Sequence, residues 1–372
     1  MVNKICVYAI CKNELQFVDR WVNSMSEADE IIVYDTGSTD GTYEKLKEFG
    51  VNVKQGVVDP WRFDDARNRS LEMAYETDCN VFVCTDFDEY FLEGWSDCLR
   101  EKWDDSLHIR GHYRYDWAAK PDNGADVLGF IYDKIHCRGW WWKYPCHEAL
   151  VMNDDIHYSY DNICHLPEDR VHLIHTQDFS KPRTSYLDLL KLRYEEDNSD
   201  IYGLMYLSRE YAMHNLYSES TNIAKEAIEK FSDRYTPMEL SRMWLYIAEN
   251  YWDESDLDRA IYYCQKAHTA DKLAREPLVH AARIYIQKED YEIAKGLLLQ
   301  ALRDSVNRHS WCEINSYWTW ETYNWLSVAC YYTNDYEHAL KWASMALDAA
   351  PKLDVAKHNI KVAIEGIKNA RN

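Results

Sequence analysis

No apolar stretch in this 372-residue chain is long enough to cross a membrane, and the first apolar run, Ile5 to Ile10, is short and flanked by Lys4 and Lys12. It is also too short for the apolar core of an export signal, so a cytoplasmic location with no transmembrane segment is expected. Positive charge is scarce as well. Lys and Arg total 42 against 63 Asp and Glu, a formal net charge of −21. Phosphate backbones and anionic lipids are held by a surplus of cations, so nucleic acid is set aside as a partner and a lipid surface is disfavoured. No CxxC pair occurs among the eleven cysteines, and their odd number leaves at least one unpaired. Buried thiols in a reducing compartment fit this pattern better than a disulfide framework does. His136-Cys137, Cys146-His147 and Cys164-His165 carry zinc-type ligands, but their spacings match no familiar zinc module, and incidental thiols in a strand region are expected.

What is present is ordinary hydrophobic content, 47%, with a high aromatic share of 14% that includes 29 Tyr and 15 Trp. A disordered chain is excluded, and the length suits two or three domains. The first half alternates short β runs with helical spacing. Ile5–Ile10 reads as a strand buried on both faces, and Ile31–Tyr34 as a second strand. The turn-forming loop Asp35-Thr36-Gly37-Ser38-Thr39-Asp40-Gly41 follows it. Residues 64–75 read as a helix, and Val81–Cys84 as a strand running directly into Asp86-Phe87-Asp88. This rhythm predicts a parallel sheet wrapped by helices, with ligands beyond the carboxyl ends of the strands. Aromatic-rich runs between 106 and 176 suggest a mixed or antiparallel extension of that sheet.

After about residue 180 the β signals stop and the sequence repeats. Small residues spaced by twelve and then seven positions recur four times: Ser208-Ser220-Ala227, Ala248-Ala260-Ala267, Ala282-Ala294-Ala301 and Ser327-Ala339-Ala346. The starts are offset by 40, 34 and 45 residues. Such phasing resembles the tetratricopeptide repeat, whose small residues let paired antiparallel helices approach closely. The expected organisation is an α/β domain over 1–180 followed by an all-α repeat domain over 181–372.

Asp86 and Asp88 are the sharpest chemical signal. Carboxylates at i and i+2 after a buried strand can face one crevice, while Phe87 turns back towards the core. Charges placed there need a cation, and Mg²⁺ or Mn²⁺ bridging to substrate phosphates meets that need. Asp35, opening the Gly-containing loop, can accept from a base N–H or a ribose hydroxyl, or it can simply cap the turn. Arg67, early in a helix, can clamp a diphosphate or rest on a nucleobase, or form a surface ion pair.

Four linked elements carry a more specific resemblance: Cys11-Lys12-Asn13-Glu14, Val33 to Thr42, Phe63-Asp64-Asp65-Ala66-Arg67-Asn68, and Asp86-Phe87-Asp88. In order and spacing they resemble a family 2 glycosyltransferase of the GT-A fold over roughly residues 1–180. Lys143-Tyr144-Pro145-Cys146-His147-Glu148 and His172-Leu173-Ile174-His175 are similar to elements of a branch that includes bacteriocin S-glycosyltransferases and lipopolysaccharide-core glucosyltransferases. The resemblance implies donor-binding roles for Asn13, Glu14, Asp35, Arg67 and Asp86. It implies metal binding by Asp88 with Asp86 and His175, the metal being Mn²⁺ or Mg²⁺. Inverting transfer needs a carboxylate that deprotonates the acceptor; Glu148 is nominated, with Glu89 second. Trp117, Trp141, Trp142 and His147 are expected to line the acceptor site, where aromatic faces can stack on sugar C–H groups. The expected reaction moves a UDP-linked hexose to a peptide or protein, with the repeats binding that acceptor or pairing two subunits. The alternatives are a glycan or lipopolysaccharide-core acceptor, or a non-catalytic scaffold.

Overall fold

The computed structural model describes residues 2–118, 127–152, 159–176 and 186–371. The chain forms two compact units, with the division falling after Arg193. The expected boundary at 180/181 lies outside the described residues.

In the first unit the sheet starts as anticipated. Strand β1 (Ile5–Cys11) is buried along nearly its whole length and lies parallel to both β2 (Glu30–Asp35) and β4 (Val81–Cys84); β2 in turn pairs parallel with β3 (Asn52–Gln55). Helices α1 (Leu15–Met25), α2 (Thr42–Glu48) and α3 (Phe63–Tyr75) connect these strands. The unbroken apolar run of β1 follows from this central position, since both of its faces are covered. After β5 (Glu89–Phe91) and α4 (Trp95–Lys102) the sheet becomes mixed. Strands β6 (Arg110–Ala118) and β7 (Val127–His136) are antiparallel to each other, and β7 joins β4 antiparallel. A separate ribbon, β8 (Trp140–Lys143) with β9 (Ala149–Met152), lies against α3. Strand β10 (Ile163–His165) pairs with β6, and β11 (His172–Thr176) sits between β6 and β5. The order is β3-β2-β1-β4-β7-β6-β11-β5.

Helix α5 (Tyr186–Glu196) leads into the second unit, which is helical throughout its described residues: α6 (Ile201–Met213), α7 (Tyr217–Phe231), α8 (Pro237–Asp253), α9 (Leu257–Ala270), α10 (Glu276–Gln287), α11 (Tyr291–Asp304), α12 (Asn315–Trp318), α13 (Glu321–Tyr332), α14 (Tyr336–Ala349) and α15 (Asp354–Arg371). The phased small residues lie within the pairs α6/α7, α8/α9, α10/α11 and α13/α14, and every one is at most 1% exposed. The pairs also share a turn. Asn215, Ser255, Glu289 and Asn334 each have φ between 58° and 64°. Each is followed by a residue whose N–H reaches back to the carbonyl of Tyr211, Tyr251, Tyr285 or Cys330. The left-handed residue's own N–H reaches the carbonyl of Ala212, Trp252, Ile286 or Tyr331, and this pair of hydrogen bonds satisfies the last carbonyls of the first helix in each pair. The 45-residue offset is an insertion: residues 305–320 run from α11 to α13 and contain α12. All eleven cysteines are free thiols. No helix among the described residues is long and apolar enough to cross a membrane.

Candidate active site

The Asp86–Asp88 turn is fixed by its middle residue. Phe87 is buried and stacks on Trp21 with ring centroids 4.3 Å apart, and the Trp21 indole N–H donates to Thr85 Oγ1 at 3.1 Å. The stack contributes about 1 kcal/mol beyond area burial and leaves the flanking carboxylates on the opposite side. Their side chains are 34% and 22% exposed.

Asp86 sits in an ionic cluster built from four elements. Arg67 of α3 donates to its Oδ1 at 2.8 Å, and Lys134 of β7 approaches Oδ2 at 3.4 Å. Arg67 also pairs with Glu148 and donates to Cys84 Sγ. Glu89 accepts the backbone N–H of Asp86 at 2.8 Å. Two cations therefore face three carboxylates in a mostly buried space. Burial opposes ionisation of Asp86, but Arg67 and Lys134 outweigh it and hold the carboxyl well below its usual range. Glu148 shifts the same way for the same reason. Glu89 moves the other way: burial, and then the neighbouring Asp86 charge, push it up to about 7.

Asp88 takes a different partner. The antiparallel register of β5 and β11 sets His175 opposite Glu89, and Thr176 N–H donates to the Asp88 carbonyl at 2.8 Å. His175 Nε2 then lies 3.1 Å from Asp88 Oδ2, while its Nδ1 is buried without a partner among the described residues. Burial lowers the affinity of His175 for a proton, yet Asp88 outweighs it and the net shift is upward. Asp88 and His175 are a carboxylate and an imidazole, the donor types that Mn²⁺ accepts. Ions of this size usually keep waters and substrate phosphates beside one or two protein ligands, so the pair fits a divalent cation. Asp86 is placed differently: its oxygens pair with Arg67 and Lys134, and no convergent group of three His, Cys, Asp or Glu ligands occurs among the described residues.

Asp35, at the end of β2, is fully buried. Its Oδ1 accepts the N–H groups of Gly37 and Ser38 at 2.8 and 2.7 Å, closing the turn, but its Oδ2 is buried with no partner among the described residues. An orphaned buried carboxylate oxygen is costly unless a ligand supplies a donor. Asn13 ties this loop to the one after β1: its Oδ1 accepts Thr39 N–H, and its own N–H donates to Ser38 Oγ, both at 2.8 Å. Glu14 N–H donates to Thr42 Oγ1. Asp40 accepts from Thr42, at the start of α2, and from Leu15.

The remaining expected residues divide. Glu148 lies in the loop between β8 and β9, whose carbonyls at Cys146 and His147 accept from Arg193 at 2.9 and 2.7 Å. His147 packs beside Tyr186, and its φ of 47° bends the chain just before Glu148. Trp117 is 37% exposed and lies parallel to His175 at 6.1 Å, in keeping with an acceptor platform. Trp141 faces outwards. Trp142 is buried and donates its indole N–H to Tyr8 at 3.1 Å. Strand alternation explains the difference, since Trp140 and Trp142 share the face that packs on α3. Of the zinc-type residues, His136 is buried and spends its ring nitrogens on Tyr8 and the Cys137 carbonyl. Sequence reasoning missed Lys134. Its signal was the period-2 face it shares with His136, which packs into the sheet core.

Residues 6–160 match the profile of Glycosyl transferase family 2. The first unit thus contains a family 2 glycosyltransferase domain of GT-A type. No curated protein matches the chain. Among solved structures it is similar to MamA (13% identity, covering 46% of this chain and 85% of that one, TM-score 0.37). It is also similar to a thermophilic tetratricopeptide protein of Thermus thermophilus (18% identity, 48% and 88% coverage, TM-score 0.35). A third is YrrB, described as a tetratricopeptide protein with an unusual peptide-binding site (15% identity, 47% and 81% coverage, TM-score 0.35). At these scores the likenesses carry no argument; the helix pairs and their repeated turn identify the second unit as tetratricopeptide-like.

Proposed function

We propose that the chain transfers a hexose from a UDP-linked donor to a glycan acceptor, with inversion and with Mn²⁺ or Mg²⁺. The observation that carries this reading is the buried ionic cluster of Arg67, Lys134, Asp86, Glu89 and Glu148 beyond the strand ends, next to the Asp88–His175 pair. Asp35 Oδ2 is the acceptor for a donor group of the nucleoside. Arg67 and Lys134 are the cations available to the diphosphate, and Asp86 keeps both of them in place. Asp88 and His175 would hold the metal, which when bound neutralises charge on the leaving diphosphate. Glu148 is the base: it takes the acceptor hydroxyl proton as the new C–O bond forms and the sugar–phosphate C–O bond breaks, with that electron pair leaving on the diphosphate. Glu89, 1% exposed and bonded to the Asp86 backbone, serves as a positioning residue.

The acceptor assignment turns on the repeats. A peptide would be expected on the face formed by α6, α8, α10 and α13, and residues 308–318 occupy part of that face. Trp311 packs beside Tyr202 and Tyr206, and Ile314 N–H and the Trp318 indole both donate to Glu276 at 2.9 Å. Tyr317 meets His280 and Arg283. With its own chain covering that surface, a glycan acceptor is favoured over a peptide. The test is hydrolysis of a UDP-hexose by the full chain: activity should need Mn²⁺ or Mg²⁺ and disappear in Asp88→Ala. Hydrolysis that persists in EDTA or in the variant would contradict the reading.

A further inference from the structure

A groove of about 750 Å³ runs along the side of α3 facing the β8–β9 ribbon. One wall is a helical stripe, Asp65, Asn68, Arg69, Glu72 and Glu76, spaced so that all lie on one face of α3. The other wall brings Trp141 of β8 together with Tyr34 and Lys54 from the ends of β2 and β3. None of these residues is among those assigned to the donor or the metal.

Three features separate this groove from an ordinary surface crease. First, Trp141 is 36% exposed on a strand whose backbone is clamped to α3. Asn68 donates to the Trp142 carbonyl and accepts its N–H, both at 2.8 Å, and the Tyr75 hydroxyl bonds both the N–H and the carbonyl of Trp140. The backbone that carries the indole is therefore held in place, which reduces the ordering cost of a ligand stacked on it. Second, Asp65, Glu72 and Glu76 share the groove with Arg69 on their own wall and Lys54 on the other, yet none of the five forms an ion pair among the described residues. Arg69 spends one N–H on Tyr34 Oη, at 2.9 Å. Donors and acceptors of both signs are thus left open. Third, the charges nearly balance, three carboxylates against two cations, so neither a polyanion nor a strong polycation is selected. A ligand with an apolar C–H face and many hydroxyls matches all three features, and that ligand is a neutral sugar chain.

We infer that the groove is a docking site for the glycan chain of the acceptor, away from the reacting hydroxyl, with Trp141 as its stacking platform. The inference rests on the glycan-acceptor reading above. Its function is to hold the body of a neutral polysaccharide while one end is modified on the other face of α3, where Arg67 and Glu148 lie.

The experiment is native gel electrophoresis of the full chain through gels containing dextran or galactomannan, without donor or metal. Wild-type protein should be retarded by at least one of these neutral polysaccharides. Trp141→Ala should weaken retardation about tenfold, the equivalent of about 1.4 kcal/mol of stacking. Glu72→Ala with Glu76→Ala should weaken it too, with the near-ultraviolet circular dichroism of both variants unchanged. No retardation of wild type in either gel, or equal retardation of Trp141→Ala, overturns the inference. So does a Trp141-dependent retardation in gels containing a basic polypeptide in place of the polysaccharide. Hydrolysis of UDP-hexose by the wild type is measured in parallel. Its absence overturns the transferase reading, whereas the gels alone decide the groove.

Discussion

The two units bring their buried groups together in different ways. In the repeats, closeness is achieved with small side chains, and polar ones close on one another: Ser208 bonds Ser220, and Asn250 bonds Ser220 and Thr221. In the glycosyltransferase domain, closeness is achieved with charges, and loose ends remain at Asp35 Oδ2 and His175 Nδ1. The repeats keep buried polar atoms without a partner among the described residues too, Ser241 Oγ and Asn250 Oδ1 for example, but these are scattered through the stack and not gathered at one place. A site that receives a charged ligand must leave some of its groups waiting for one.

This contrast can be broken most sharply at Lys134. Lys134→Met should lower glycosyl transfer about 100-fold, as expected for losing one preorganised group that faces charge in the transition state, while the thermal midpoint moves little. A comparable loss of stability with intact transfer would reduce Lys134 to a core residue. The repeats should respond in the reverse sense. Ala282→Leu forces extra methylenes into a contact with no exposed surface and should cost about 1–3 kcal/mol, read as a lower thermal midpoint with donor hydrolysis retained.

Acid should act on the first unit through His136, which burial pushes down to about 3. The unfolded chain binds that proton near pH 6.5 and the folded one does not, so stability falls as pH drops from about 6.5 towards 3, by up to about 1.4 kcal/mol per pH unit. His136→Phe should flatten that slope in urea titrations monitored at pH 4 to 7. The smallest effect belongs to the repeated turn. Glu289 sits at φ 63°, so Glu289→Gly should stabilise by a few tenths of a kcal/mol up to about 1, and Glu289→Val should destabilise.

These contrasts also explain what could be read from the chain beforehand. The parallel strands were legible because β1 is a continuous apolar run, and the helix pairs because their contacts demand small residues at fixed spacing. The repeated left-handed turn was not legible, since Asn, Ser, Glu and Asn hold the same backbone shape without a glycine to mark it. Asp35, Asp88 and His175 could be singled out from motifs in one stretch of sequence each. Lys134 could not, because it meets Asp86 across 48 residues through an antiparallel pairing that no local pattern encodes. The Trp140–Trp142 run looked uniform, yet strand alternation buries its outer two members and exposes the middle one.

The central claim is that Asp88 and His175 hold a divalent cation carrying a sugar nucleotide. A ligand that binds only the folded state raises its apparent stability, so the thermal midpoint of the full chain with a UDP-hexose, with and without Mn²⁺, measures the claim directly. The account predicts a rise that needs both Mn²⁺ and the donor and vanishes in Asp88→Ala. A midpoint unmoved by the pair, or raised equally in the variant, would contradict it.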